Sequence, residues 1–101
     1  MDTEMIAMTL IAHSGDARTL AFQALQAVKK GDFDEADRLM QESMKESVQA
    51  HDGQTDLLAA EAKGEKIELG ILLIHAQDHL MTSMLAQELI GEMIQMYKNM
   101  K

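Results

Sequence analysis

Three ionisable side chains lie close together in the most apolar part of the chain, the segment ILLIHAQDHLMTSM at residues 71–84. His75 and His79 are four residues apart, so on a helix their side chains are neighbours on one face. Asp78 continues an apolar stripe, whose other expected members are Ile67, Ile71, Ile74, Met81 and Leu85. A carboxylate on a buried stripe needs a partner charge or a metal ion. This cluster is therefore the first candidate for a functional site.

The residues alone leave three interpretations of the cluster open. In the first, the two histidines are satisfied core or rim residues and Asp78 is solvated, as is common for a histidine on an apolar face. In the second, the histidine pair and the carboxylate bind zinc; a third protein ligand then comes from His13, from His51 or from another subunit. In the third, one histidine is a nucleophile that carries a phosphoryl group, and the neighbouring polar groups orient it.

The composition restricts the class of protein. A chain of 101 residues, 47% of them apolar, is expected to form one globular domain over 1–101. A net charge of −8 opposes binding to nucleic acid and to anionic membranes. The absence of cysteine excludes disulfides and thiol catalysis. The N-terminus lacks the basic region of a secretion signal, and no apolar run approaches the roughly 20 residues that span a bilayer, so we expect a soluble cytoplasmic protein.

The absence of proline and the abundance of strong helix formers predict an all-α protein. The first helix is expected over about 3–30, where Gly31 supplies a C-terminal cap. Asp32 and Glu35 form a capping box that starts a second helix over about 33–62. Gly53 costs that helix about 1 kcal/mol relative to alanine and predicts a local irregularity. The expected core stripes are Ile6, Leu10, His13, Ala17, Leu20 and Ala24 on the first helix, and Ala36, Met40, Met44, Ser47, His51, Thr55 and Leu58 on the second.

The third helix, expected over about 65–99, carries apolar residues on nearly all sides. Such a helix is buried all round, whereas each helix of an isolated three-helix bundle should keep one face in water. The excess predicts a second interface with other copies of the chain, related by cyclic symmetry about an axis near this helix. The fold prediction is an antiparallel three-helix bundle that assembles through its third helix.

The ten residues HAQDHLMTSM, preceded by KIELGILLI and followed by LAQELI, resemble a known signature. It is that of the lactose/cellobiose-type enzyme IIA of the bacterial phosphoenolpyruvate-dependent sugar phosphotransferase system. IAHSGDARTLAFQAL is similar to the first helix of that family, and KKGDFDEADRLM to its first turn and second helix. AHDGQTDLLAAEAKGEK is similar to the end of the second helix and the second loop. The resemblance covers nearly the whole chain, and the ten-residue motif is far more specific than a pair of histidines.

The resemblance implies a three-helix bundle that forms a homotrimer with its third helix near the threefold axis. Members of the family accept a phosphoryl group from the phosphocarrier protein HPr on the first motif histidine, here His75. They pass it to a cysteine of enzyme IIB, for the uptake and phosphorylation of a disaccharide. The family's metal-binding aspartate corresponds to Asp78, and three copies meet around a divalent cation, usually magnesium. His79 and Gln77 are candidate helpers of the phosphoryl carrier.

The other polar residues are expected to be structural. We assign His13 to the core or to an interface, and His51 and Gln54 to the packing of the second helix. The alternative to a phosphocarrier is a non-catalytic helical oligomerisation or metal-binding module, in which zinc binds through His75 and His79.

Overall fold

A computed structural model describes residues 2–100 as three long helices. They are α1 (Thr3–Lys29), α2 (Phe33–Ala62) and α3 (Ile71–Asn99), and no strand occurs among these residues. The helices run up, down and up in a rod of 53 × 19 × 17 Å. α1 packs closely against both other helices, whereas α2 and α3 approach each other at few points. The predicted all-α, antiparallel three-helix architecture is confirmed.

The connection between α1 and α2 is a tight turn of three residues, 30–32. Gly31 adopts the left-handed conformation with φ 83°, and the Asp32 amide donates to the Ala27 carbonyl at 3.0 Å. Asp32 Oδ1 accepts from the Glu35 amide at 3.2 Å, as the capping box predicted. The Glu35 carboxylate instead accepts from Arg38 Nε at 2.5 Å, and this hydrogen bond holds the pKa of Glu35 below its usual value. The predicted bounds of the first two helices agree with the structure.

The predicted start of the third helix near Glu65 is wrong, because α3 begins at Ile71. Residues 65–70 have no regular secondary structure. Gly64, with φ 91°, turns the chain after α2, and Gly70 is extended at the start of α3. Ile67 packs against the core from this segment. The two glycines interrupt the helix that the apolar pattern predicted, and the segment between them is held by packing instead.

Buried residues follow a three-four spacing on α1 and α3, and on α2 the same spacing with two gaps of seven residues, which is the pattern of coiled-coil packing. They are Ala7, Leu10, Ser14, Ala17, Ala21, Ala24 and Val28 on α1; Ala36, Leu39, Ser43, Ala50, Leu57 and Ala60 on α2; and Leu73, Ala76, Leu80, Ser83, Gln87, Ile90 and Ile94 on α3. Most of these side chains are small. The α1 stripe was predicted in part, through Leu10, Ala17 and Ala24.

The predicted stripes on the other two helices lie mostly on the wrong side. On α2, Met44, His51, Thr55 and Leu58 are exposed. On α3, Ile71, Ile74, Met81 and Leu85 are exposed, with 83% of Ile71 accessible. On α2 the interior is mostly alanine and serine, and on α3 large aliphatic residues occupy both the buried and the outer face. A prediction from side-chain size alone therefore selected the outer faces of these two helices as the buried ones.

The core consists of two apolar clusters separated by a polar layer. The upper cluster, towards the start of α3, contains Ala7, Leu10, Ala50, Leu57, Leu73, Ala76 and Leu80. The lower cluster contains Ala21, Ala24, Val28, Ala36, Leu39, Ile90 and Ile94. Between them, Ser43 Oγ donates to the Ala17 carbonyl at 2.6 Å and accepts from Gln87 Nε2 at 2.8 Å. The buried hydroxyls of Ser14 and Ser83 have no partner in the described structure.

Replacing Gly53 by alanine should raise the free energy of unfolding by about 1 kcal/mol, because glycine is a poor residue in a helix interior. The predicted irregularity is absent, since α2 continues through Gly53. An added Cβ would lie 3.4 Å from Leu10 Cδ2, an ordinary contact distance. Urea unfolding at fixed protein concentration, followed by circular dichroism, measures the change. The control is Gly64→Ala, which should lower stability because φ is 91° there. A lower free energy of unfolding for Gly53→Ala would show that the added Cβ does not fit against Leu10.

Candidate functional site

The two histidines of the motif project from the N-terminal part of α3, beside the upper cluster. Their ring centroids are 4.6 Å apart and the rings meet edge to face, at 69°. His75 is exposed, while His79 is half-buried. Nδ1 of His79 is enclosed and has no hydrogen-bond partner in the described structure. His75 is therefore the more accessible ring of the pair.

Leu72, one turn before His75, marks the side of α3 on which the histidines lie. Together with Leu69 and Leu73 it lines a shallow cavity of about 220 Å³ against the start of α1, whose other lining residues are Thr3, Glu4, Ala7, Glu68 and Gly70. Its rim carries the carboxylates of Glu4 and Glu68, and neither histidine lines it; the link to the pair is Leu72, on the same side of α3.

Asp78 lies on the outer face of α3, exposed to solvent in the single chain. Its backbone carbonyl accepts from Thr82 Oγ1 at 2.7 Å. Large apolar side chains on the exposed part of the same helix are Ile71, Ile74, Met81, Leu85, Leu89, Met93 and Met96. So many exposed apolar residues on one helix are unusual for a monomer and mark an interaction surface. Within the single chain, Asp78 is thus a carboxylate on an outer apolar face rather than in the core.

Gln77 lies on a different side of α3 from the histidines, towards α2. Its Nε2 donates to Gln54 Oε1 at 2.5 Å. The two amides belong to a cavity of about 180 Å³ between the end of α2, the 65–70 segment and α3; its apolar lining residues are Leu57, Leu58, Ile67, Leu69, Leu73 and Ile74. The sequence predicts a packing role for Gln54 and does not predict its hydrogen bond with Gln77. The signal that was available is that both amides fall at the upper end of their helices.

The remaining histidines lie away from the pair. His13 Nδ1 is 3.4 Å from Glu46 Oε1, between α1 and α2. His51 is exposed on α2, and its carbonyl accepts from Thr55 Oγ1 at 3.1 Å. Across residues 2–100, no three histidine, aspartate or glutamate side chains come close enough together to hold a metal ion. A cation at Asp78, or zinc on His75 and His79, would need further ligands from outside the single chain.

None of the helices in the described part of the chain is long and apolar enough to cross a membrane.

Fold and site define the chain as an up-down-up helical bundle with an exposed histidine on its third helix and a large unpartnered apolar face beside it. Comparison with known proteins then assigns the family. The profile of the family described as "PTS system, Lactose/Cellobiose specific IIA subunit" matches residues 5–98. The chain belongs to this family, which confirms the resemblance seen in the motif.

Individual relatives agree with this assignment. The lactose-specific EIIA component of Staphylococcus epidermidis is 42% identical over 97 residues, covering 96% of this chain and 93% of the relative. The crystal structure of the cellobiose-specific enzyme IIA from Bacillus anthracis has a TM-score of 0.95 and 45% identity, covering 99% and 92% of the two chains. A solution structure of the IIA(Chitobiose)–HPr complex of Escherichia coli has a TM-score of 0.84 and 43% identity, covering 99% and 97%.

Diethyl pyrocarbonate should modify His75 faster than His79, because His75 is exposed while the second ring has an enclosed Nδ1. Fragmentation mass spectrometry after short reaction times gives the two rates within one peptide. Exposed His51 supplies an internal reference for the reagent. Equal rates at His75 and His79 would contradict the exposure difference between the two rings.

Proposed function

We propose that the chain is the phosphocarrier IIA subunit of a disaccharide phosphotransferase system. It accepts a phosphoryl group from HPr on His75 and passes it to a cysteine of enzyme IIB, in the cytoplasm. The observation that carries the proposal is the exposed ring of His75, the first histidine of the family motif, on the third helix. The relative solved in complex with HPr supports HPr as the donor.

The chemistry needs little more than an accessible imidazole. Neutral imidazole is nucleophilic near pH 7. One ring nitrogen of His75 forms a bond to phosphorus as the bond between phosphorus and the donor breaks, and the electron pair of that bond stays with the donor. In the second transfer a cysteine sulfur of enzyme IIB forms the new bond to phosphorus, and the electron pair returns to the His75 ring. Positioning and charge stabilisation account for most of the catalysis in such transfers.

His79 and Gln77 have different relations to the carrier. The His79 ring is packed against His75, so His79 is the helper within the same chain and orients the carrier ring. Gln77 is bound to Gln54 on the side of α3 that faces α2. A helper role for Gln77 at His75 would require its amide to leave Gln54.

The exposed face of α3 supports assembly into a homotrimer, with α3 near the threefold axis. A cyclic arrangement would cover the apolar residues of this face and bring three copies of Asp78 together. Three carboxylates at close range repel one another strongly unless a cation neutralises them. Magnesium suits this position because it prefers oxygen ligands and keeps several waters. The cation would stabilise the assembly, and no step of the phosphoryl transfer needs to pass through it.

Incubation with phosphoenolpyruvate, enzyme I and HPr should add one acid-labile phosphate per chain, and His75→Gln should abolish this uptake because it removes the nucleophilic ring. Intact-mass spectrometry at neutral pH measures the phosphate. His51→Gln is the matched control, an exposed histidine on α2 whose loss should leave uptake unchanged.

Full uptake by the His75→Gln protein would show that another residue is the carrier. If the unmodified chain takes up no phosphate and its stability depends on zinc through His75 and His79, the chain is instead a metal-binding module.

Asp78→Leu should leave the trimer intact or tighter, because three buried like charges disappear together with their cation. Sedimentation velocity across a dilution series measures the assembly, with and without a chelator. Leu85→Asp is the matched control, since it adds a carboxylate to the same face and should weaken association. Dissociation of the Asp78→Leu protein into monomers would contradict the placement of Asp78 at the axis.

A further inference from the structure

The polar layer is the one part of the described interior in which side-chain hydrogen bonds join all three helices. The Ser43 hydroxyl on α2 donates to the Ala17 carbonyl on α1 and accepts from the Gln87 amide on α3. Ser43 is fully buried, and Gln87 is 9% exposed. A buried amide left without a partner is strongly unfavourable. The layer therefore stabilises one relative height of the three helices over others.

This polar contact matters because the apolar stripes alone do not define the position of one helix along the axis of the others. Ala17, Ala21 and Ala24 form the middle of the α1 stripe, and Ala36 and Ala50 lie on α2. Register in coiled-coil packing depends on differences in side-chain size and on occasional buried polar groups. A shift of seven residues along these stripes would often replace one small side chain by another, and the three-four spacing would be kept.

The two connections constrain register unequally. The turn at 30–32 is too short for α2 to shift along α1 without unwinding a helix. Residues 63–70 lack helical structure and include Gly64 and Gly70, so this longer connection is tied to the bundle only by packing such as that of Ile67 and does not itself fix the height of α3. The register of α3 must then come from its own contacts with the other helices.

Other side-chain ties between α2 and α3 are partly exposed. Lys98 Nζ lies 2.7 Å from Asp37 Oδ1, and the Asp37 side chain is 51% exposed. The Gln77–Gln54 pair is also only partly buried. Exposed ion pairs and amides exchange their partners for water at little cost. Gln87 is largely closed to water, and apart from Ser83 the buried residues above and below it on α3 belong to the apolar clusters.

We infer that Gln87, bound to Ser43, is a register lock that sets the height of α3 in the bundle. A shift by one heptad in either direction would bury the Gln87 amide in an apolar cluster. The lock also positions the candidate site, since seven residues of helix correspond to about 10 Å along the axis. His75 and the start of α1 stay at the same height only while the lock holds.

Cysteine cross-linking tests the lock directly, because the natural chain contains no cysteine. Cysteines at 54 and 77 report the native register; pairs at 54 and 84, and at 47 and 77, report one-heptad shifts in the two directions. Each pair is placed in the full chain with and without Gln87→Leu and treated with a short thiol-reactive cross-linker. Intrachain products are separated from interchain products by mass under denaturing conditions.

In the parent chain the 54–77 product should dominate. Gln87→Leu should raise at least one shifted product several-fold, while Ser43 still donates to Ala17 and the helix content is unchanged. Ser83→Ala is the matched control: it removes a buried hydroxyl from the same layer of α3 that has no hydrogen bond, and it should leave the native product dominant.

Gln87→Met keeps the length of the side chain, so it separates the loss of the amide from a packing defect caused by leucine. Shifted products in both variants support the lock. A folded variant of either kind that gives only the native product overturns it. Loss of helix in both variants overturns it too, because an apolar side chain in an apolar stripe should preserve the bundle. Phosphate uptake on His75 is a separate measurement, so the lock and the proposed function fail independently.

Discussion

The small size of the interior side chains is the constraint on which the rest of this structure depends. Alanine and serine occupy much of the buried stripes on α1 and α2, so α1 packs closely against its two neighbours. A narrow interior cannot accommodate the remaining large apolar residues, and many of these lie on the outer face of α3. The same constraint thus accounts for the slender rod, for the unpartnered apolar face and for the exposed position of Asp78 in the single chain.

Much of the fold was predictable because helix ends have local signals. Gly31 and Asp32 marked the turn between α1 and α2, and the structure uses both as expected. The start of α3 was not predictable from the apolar pattern, because Ile67 continues that pattern while packing from a non-helical segment. The stripes on α2 and α3 failed for a related reason. Which face is buried depends on how the helices pack against one another. The large apolar side chains of Met44 and Met81 suggested buried positions, yet both lie on outer faces, while alanines and serines occupy much of the interface between the helices.

Local sequence was more informative about the site than about the core. The motif placed His75 and His79 on one face of a helix, and their rings do meet there. Gln77 follows His75 by two residues, yet it faces another helix, because residues two apart on a helix point in different directions. The bond from Gln77 to Gln54, like the Ser43–Gln87 bond, joins distant parts of the chain. No spacing along one segment reveals such pairs, since their partners are chosen by the packing of whole helices.

The position of the single tyrosine has a practical consequence. Tyr97 packs against the lower cluster at the end of α3, and the chain has no tryptophan. Its fluorescence therefore follows the attachment of the C-terminal part of α3 to the bundle. The end that carries the histidines has no comparable chromophore, because both phenylalanines, at 22 and 33, also lie outside the upper cluster. Tyrosine fluorescence of the natural protein thus reports on one end of the rod and not on the end that carries the histidines.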